Sequence, residues 1–263
     1  MGRSVFFAAF QLVRPEISGL VAVVIFIPTL CATGDWSLGL RYALTIVPIC
    51  MCGFVINAVN DLEKDRQNHP ERPLPSGTIS PSAAVFLFFV LIAVALTMIK
   101  SLIAPQDAFV YLLSLIIMIN YDYVVSYFPS AKNFYVATAA AMPIVILSRT
   151  AFSLLSHTNV LIAAILYALC MEMLSDIKDM PGDGLTLAKR IGSRRAGQLA
   201  LGVLTAAAIS LFFGSSDWVG RLIAGGFMVL DLGCILLWHR TENPMLVFRM
   251  ATVQPILGIY YLL

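Results

Sequence analysis

Long stretches of apolar residues, almost free of charge, follow one another along the whole chain. A helix that spans a bilayer needs about 20 mostly apolar residues. Runs of that kind cover 17–34, 41–60, 82–101, 107–127, 134–152, 158–176, 196–213, 219–238 and 245–263. Backbone amides find no partner in lipid, so each run is expected to be helical. The reading is an all-α integral membrane protein of about nine transmembrane helices. The last span is the weakest, because it contains Arg249, Gln254 and Pro255. The connections are short and rich in Gly, Pro and Ser, which leaves no room for a soluble domain, so residues 1–263 are read as a single domain.

Composition agrees. The chain is 59% hydrophobic and 12% charged, against about a quarter charged for a soluble domain. A formal charge of +2 is too small for a nucleic-acid binder. The five cysteines lie in or beside apolar runs without metal-ligand spacing, and read as small buried hydrophobes. Residues 1–16 lack a small-residue cleavage site and read as an interfacial segment leading into the first span. With nine spans, one side of the membrane receives Arg3, Arg14, Lys64, Arg66, Arg72, Lys132, Lys178, Lys189, Arg190, Arg194, Arg195 and Arg240. The other receives Arg41, Lys100, Arg149 and Arg221. Twelve against four places the 61–81 and 177–195 loops on the cytoplasmic side.

Acidic residues gather where those two loops begin. Asn57, Asp61 and Asp65 are spaced i, i+4, i+8, which is one face of a helix. The stretch "MEMLSDIKDMPGDG" carries Glu172, then Asp176, Asp179 and Asp183 at i, i+3, i+7. Acids at the ends of spans are costly and mark function. Two carboxylate rows on one side of a membrane would repel each other if they met unaccompanied, and a hard divalent cation removes that repulsion. Mg²⁺ takes oxygen ligands and completes its shell with water and substrate phosphate. Carboxylates, Mg²⁺ and nearby Arg and Lys together suit a diphosphate. The plainer alternative is two wet helix ends whose acids pair with Lys64, Arg66 and Lys178.

With these motifs the chain resembles the UbiA superfamily of intramembrane prenyltransferases. Asn57, Asp61, Asp65 and Arg72-Pro73 match its first signature, continued by "NHPERPLPSG". Asp176, Asp179 and Asp183 match its second, continued by "KRIG", and Arg14-Pro15 matches an initial "RP". Three positions depart from the usual pattern: Ala58 stands for Asp, Ser175 for Lys, and Ser126 for the lysine of a Tyr-x-x-x-x-Lys loop that keeps Tyr121. The resemblance implies helices around a central, lipid-accessible cavity, with Asp61, Asp65, Asp176, Asp179 and Asp183 binding Mg²⁺ and the diphosphate of an isoprenyl donor. Asn57, Arg72, Lys178 and Lys132 are candidate diphosphate contacts, and Tyr121 a pocket residue.

An allylic diphosphate ionises when the leaving charge is stabilised. Capture of the cation by a hydrophobic or aromatic acceptor makes a prenyltransferase; capture by its own distal double bond makes a terpene cyclase. Transport is the rival from another class, but it calls for ionisable residues in the middle of spans. Here the acids sit mainly at span ends.

Overall fold

The computed structural model describes residues 5–102, 104–128, 132–149, 158–180 and 186–251. The described chain is helical and packs as two compact units, Met1–Tyr127 and Phe128–Leu263.

The first unit contains α1 (Val5–Val13), α2 (Pro15–Thr33), α3 (Trp36–Asn60), α4 (Leu62–Asn68), α5 (Pro81–Lys100), α6 (Pro105–Ile119) and α7 (Tyr121–Tyr127). Local chemistry sets their ends. Gly34 closes α2 in the left-handed region (φ 67°), where a glycine carries no Cβ penalty. The Asp35 carboxylate then accepts from the Leu38 amide at 3.0 Å to start α3. Ser80 caps α5 in the same way, with Pro81 at its first position. Helix α3 is the hub, packing against α1, α2, α5 and α6. At the end of α3 away from Asp61, the Tyr42 hydroxyl donates to the buried Asp107 carboxylate, and the Tyr111 hydroxyl donates to the Tyr42 carbonyl at 2.9 Å. That network satisfies a buried acid.

The second unit contains α8 (Lys132–Leu147), α9 (Thr158–Lys178), α10 (Leu187–Ile191), α11 (Ser193–Gly214), α12 (Trp218–Thr241) and α13 (Pro244–Ala251). Helix α9 packs against α8 and α11, and α11 packs against α12. The buried face of α12 is Ala224, Phe227, Asp231, Cys234 and Trp238, which recur at helical spacing. Leu222, Val229, Leu232 and Leu236 alternate with them and are more than half exposed. A helix apolar on its outer face as well as its inner one belongs in lipid.

Among the described residues, six helices are long and apolar enough to cross a membrane: α2, α3, α5, α9, α11 and α12. The expected span 107–127 is instead two helices, α6 and α7, meeting at Asn120. Expected span 134–152 appears as the 16-residue α8. Most of 245–263 lies outside the described residues.

Candidate metal and diphosphate site

The first acidic row is built by the end of α3 and the short α4. Helix α3 stops at Asn60, and Asp61 (φ −80°, ψ 5°) closes one helix and opens the next. The i to i−4 ladder runs through this junction: the Asp61 amide donates to the Asn57 carbonyl and the Asp65 amide to the Asp61 carbonyl, both at 2.8 Å. The expected single face therefore survives a change of helix. The Asn57 side-chain amide donates to Asp61 Oδ2 at 3.1 Å. Lys64 Nζ stands 4.0 Å from Asp61 Oδ1.

Asp65 is buried and is clamped from downstream. Arg72 Nη1 donates to both of its carboxylate oxygens, at 2.7 and 2.8 Å. The folded "ERPLPSG" segment puts Arg72 there. Its amide donates to the His69 carbonyl, its carbonyl accepts from Ser76, and Gly77 turns the chain with φ 73°. Leu74 and Ile79 are buried and pin this segment to the unit.

The second row lies at the end of α9. Asp176 is buried and accepts from Lys132 Nζ at 2.6 Å and from the Asn133 side-chain amide at 2.9 Å. Both donors sit in the first turn of α8. Asp179 follows the last turn of α9, its amide bonded to the Ser175 carbonyl. Its carboxylate lies 3.4 Å from Lys178 Nζ, and the Ser175 hydroxyl donates to it at 3.4 Å. Asp183 lies outside the described residues. Tyr121, the expected pocket residue, is half-buried at the start of α7.

Each buried motif aspartate thus faces a basic side chain. Among the described residues no three of His, Cys, Asp or Glu stand together as a ligand set for a metal. The donor chemistry nonetheless fits Mg²⁺, since every motif side chain offers hard oxygen and none offers sulfur. Arg72 and Lys132 neutralise carboxylates that would otherwise be buried alone, and both belong to a residue type that binds phosphate oxygens. Asn133 escaped the sequence reading; its only signal was its place beside Lys132 at the start of a span.

A cavity of about 670 Å³ opens beside the first row. Arg14, Asn57, Asp65 and Arg72 line it, and Phe7 and Phe10 of α1 add an apolar wall. Burial, with Arg72 nearby, pulls the Arg14 guanidinium below its usual pKa; Asp65, Glu16 and Asp61 partly oppose this.

The fold and sequence have clear relatives. Digeranylgeranylglyceryl phosphate synthase of Methanoculleus marisnigri is 30% identical over 86% of this chain and 83% of that protein. The enzyme of the same name from Thermococcus gammatolerans is 27% identical over 87% and 84%. A solved structure of a UbiA homolog from Archaeoglobus fulgidus, bound to GPP and Mg²⁺, superimposes with a TM-score of 0.67 at 17% identity, covering 97% of this chain and 98% of that one. A solved structure from work on digeranylgeranylglyceryl phosphate synthase in membranes gives a TM-score of 0.72 at 18% identity, covering 99% and 98%. Residues 18–250 match the model of the UbiA prenyltransferase family. The chain belongs to that family.

Proposed function

We propose that the protein is a Mg²⁺-dependent prenyltransferase that moves an isoprenyl group from its diphosphate onto a glycerophosphate-type lipid. The observation that carries this reading is the pairing of the motif aspartates with phosphate-competent cations, Asp65 with Arg72 and Asp176 with Lys132. Asp61, Asp65, Asp176, Asp179 and Asp183 are the proposed metal ligands. Asn57, Arg72, Lys132 and Lys178 are the proposed diphosphate contacts. The names of the relatives support the acceptor, since they are synthases of a digeranylgeranylglyceryl phosphate. That narrows the hydrophobic or aromatic acceptor expected from the sequence, and it does not favour the cyclase reading.

Bound Mg²⁺ would supply positive charge to the departing diphosphate. The chain's own residues do the rest. The carboxylates bring oxygen ligands to the ends of membrane helices. Arg72 and Lys132, on leaving their aspartates, donate to phosphate oxygens as negative charge develops there. Apolar side chains of the spans keep water from the prenyl cation. The motif residues are proposed to lie on the cytoplasmic side, as the basic-residue count suggests.

Purified protein in detergent, given Mg²⁺, geranylgeranyl diphosphate and a prenylglyceryl phosphate, is expected to release diphosphate and form the diprenyl product. Asp61→Asn and Asp176→Asn should each abolish it. A cyclic hydrocarbon formed from the diphosphate alone would instead establish the cyclase, and full turnover in both variants would remove the metal assignment.

A further inference from the structure

Arg14 is a cation that the metal and diphosphate chemistry leaves without a task. It sits between α1 and α2 with φ 47° and ψ 60°, a left-handed conformation that disfavours any residue with a Cβ. Among the described residues only Glu242 shares that sign of φ without being a glycine. Strain of this kind collects where the surrounding structure holds a side chain for use. The guanidinium is half-buried and lies 5.2 Å over the Phe54 ring.

A ring satisfies the face of a guanidinium and leaves its edge donors unfilled. Among the described residues, Arg14 makes no hydrogen bond or ion pair to fill them. Both oxygens of Asp65 are taken by Arg72. Glu16 and Glu71 also line the cavity, but their side chains are exposed and neither pairs with Arg14. A forked guanidinium edge that lines a cavity is shaped for a phosphate.

The rest of the cavity says what would carry that phosphate. Its volume of about 670 Å³ is that of a small-molecule site. Phe7 and Phe10 form one wall, and α1 leaves Phe6, Phe7 and Phe10 at least half exposed while burying Ala8 and Leu12. An exposed aromatic face on a short helix ahead of a span suits the headgroup boundary. A ligand lying here has an anionic head against Arg14 and an apolar tail over the phenylalanines.

We propose that this cavity receives the acceptor lipid, and that Arg14 holds the acceptor's phosphate group. This rests on the reading of the protein as a transferase to a glycerophosphate-type lipid. The donor's diphosphate is the competing occupant. It is assigned to the motif aspartates and Arg72, and among the described residues of its own unit Arg14 makes no ion pair with Asp61 or Asp65.

The test uses full-length protein in detergent. Without Mg²⁺ or donor, ³¹P line broadening of glycerol 1-phosphate is expected with the wild type, reduced with Arg14→Lys and absent with Arg14→Gln. In turnover, Arg14→Gln should raise KM for a prenylglyceryl phosphate by about ten- to hundredfold, the range for losing a charged hydrogen bond. KM for the donor should stay put, and so should KM for an acceptor lacking the phosphate. Arg14→Gly removes the charge while relieving the backbone, so it should repeat the KM change even if Arg14→Gln folds poorly. An increase in donor KM with acceptor KM unchanged would overturn the proposal and move Arg14 to the donor. An equal loss for phosphate-bearing and phosphate-free acceptors would overturn it as well. If the wild type transfers no prenyl group to a prenylglyceryl phosphate, the transferase reading itself falls; if it transfers and Arg14→Gln has normal KM, only this assignment falls.

Discussion

Asp65 and Asp176 meet the same problem, a carboxylate carried into the interior at the end of an apolar helix, and each meets it with a cation. At Asp176 the pair is the more enclosed: the lysine side chain is 18% exposed and the carboxylate 4%. Removing one partner of a buried pair costs about 3–5 kcal/mol, because the other charge stays behind. Lys132→Met should therefore lower thermal stability markedly. Combining it with Asp176→Asn should recover part of the loss, with a coupling of about 0.5–3 kcal/mol in a double-mutant cycle. Strict additivity of the two single losses would show that the contact is energetically idle. The aspartates were legible as residues because acids recur at helical spacing where lipid-facing chain should have none. The partners were legible only in part. Arg72 follows its row in the sequence, whereas Lys132 precedes Asp176 by 44 positions and Asn133 had no pattern to mark it.

At the scale of elements, the helices follow from their apolar runs and caps, while their closeness is set by small residues. A Cβ at Gly197 on α11 would stand 2.0 Å from Cζ2 of Trp238 on α12, a rigid ring that is 1% exposed. Gly53 on α3 looks similar, with Met118 Cε at 2.6 Å, but a thioether end can swing aside. Gly197→Ala should cost about 1–3 kcal/mol through overpacking, and Gly53→Ala much less. Thermal unfolding of the two variants checks this, and equal losses would refute the distinction. The break of the expected 107–127 span at Asn120 belongs to this scale too. The expected span runs across Asn120, Tyr121, Asp122 and Tyr123, and it is at this polar step that α6 stops and α7 begins.

For the whole molecule, ligand binding and stability are linked. A ligand bound only by the folded state adds stability as RT ln(1 + [L]/Kd), about 2.7 kcal/mol at a hundredfold excess over Kd. Mg²⁺ with a non-ionising diphosphate analogue should raise the unfolding temperature of the wild type. The rise should shrink in Asp65→Asn and in Asp176→Asn, and an unchanged rise in either would free that row from the metal. By itself, the sequence determined that the chain is a helical membrane protein with two acid rows at span ends, and family membership followed from the same motifs. It could do so because lipid admits one backbone solution, and because charge in an apolar run is too expensive to be incidental. Tertiary structure decided which cation answers each buried motif aspartate, Arg72 for Asp65 and Lys132 for Asp176, and that Arg14 borders the cavity beside the first row. Those features depend on side chains distant in sequence arriving side by side, and neither spacing nor hydropathy encodes that arrival.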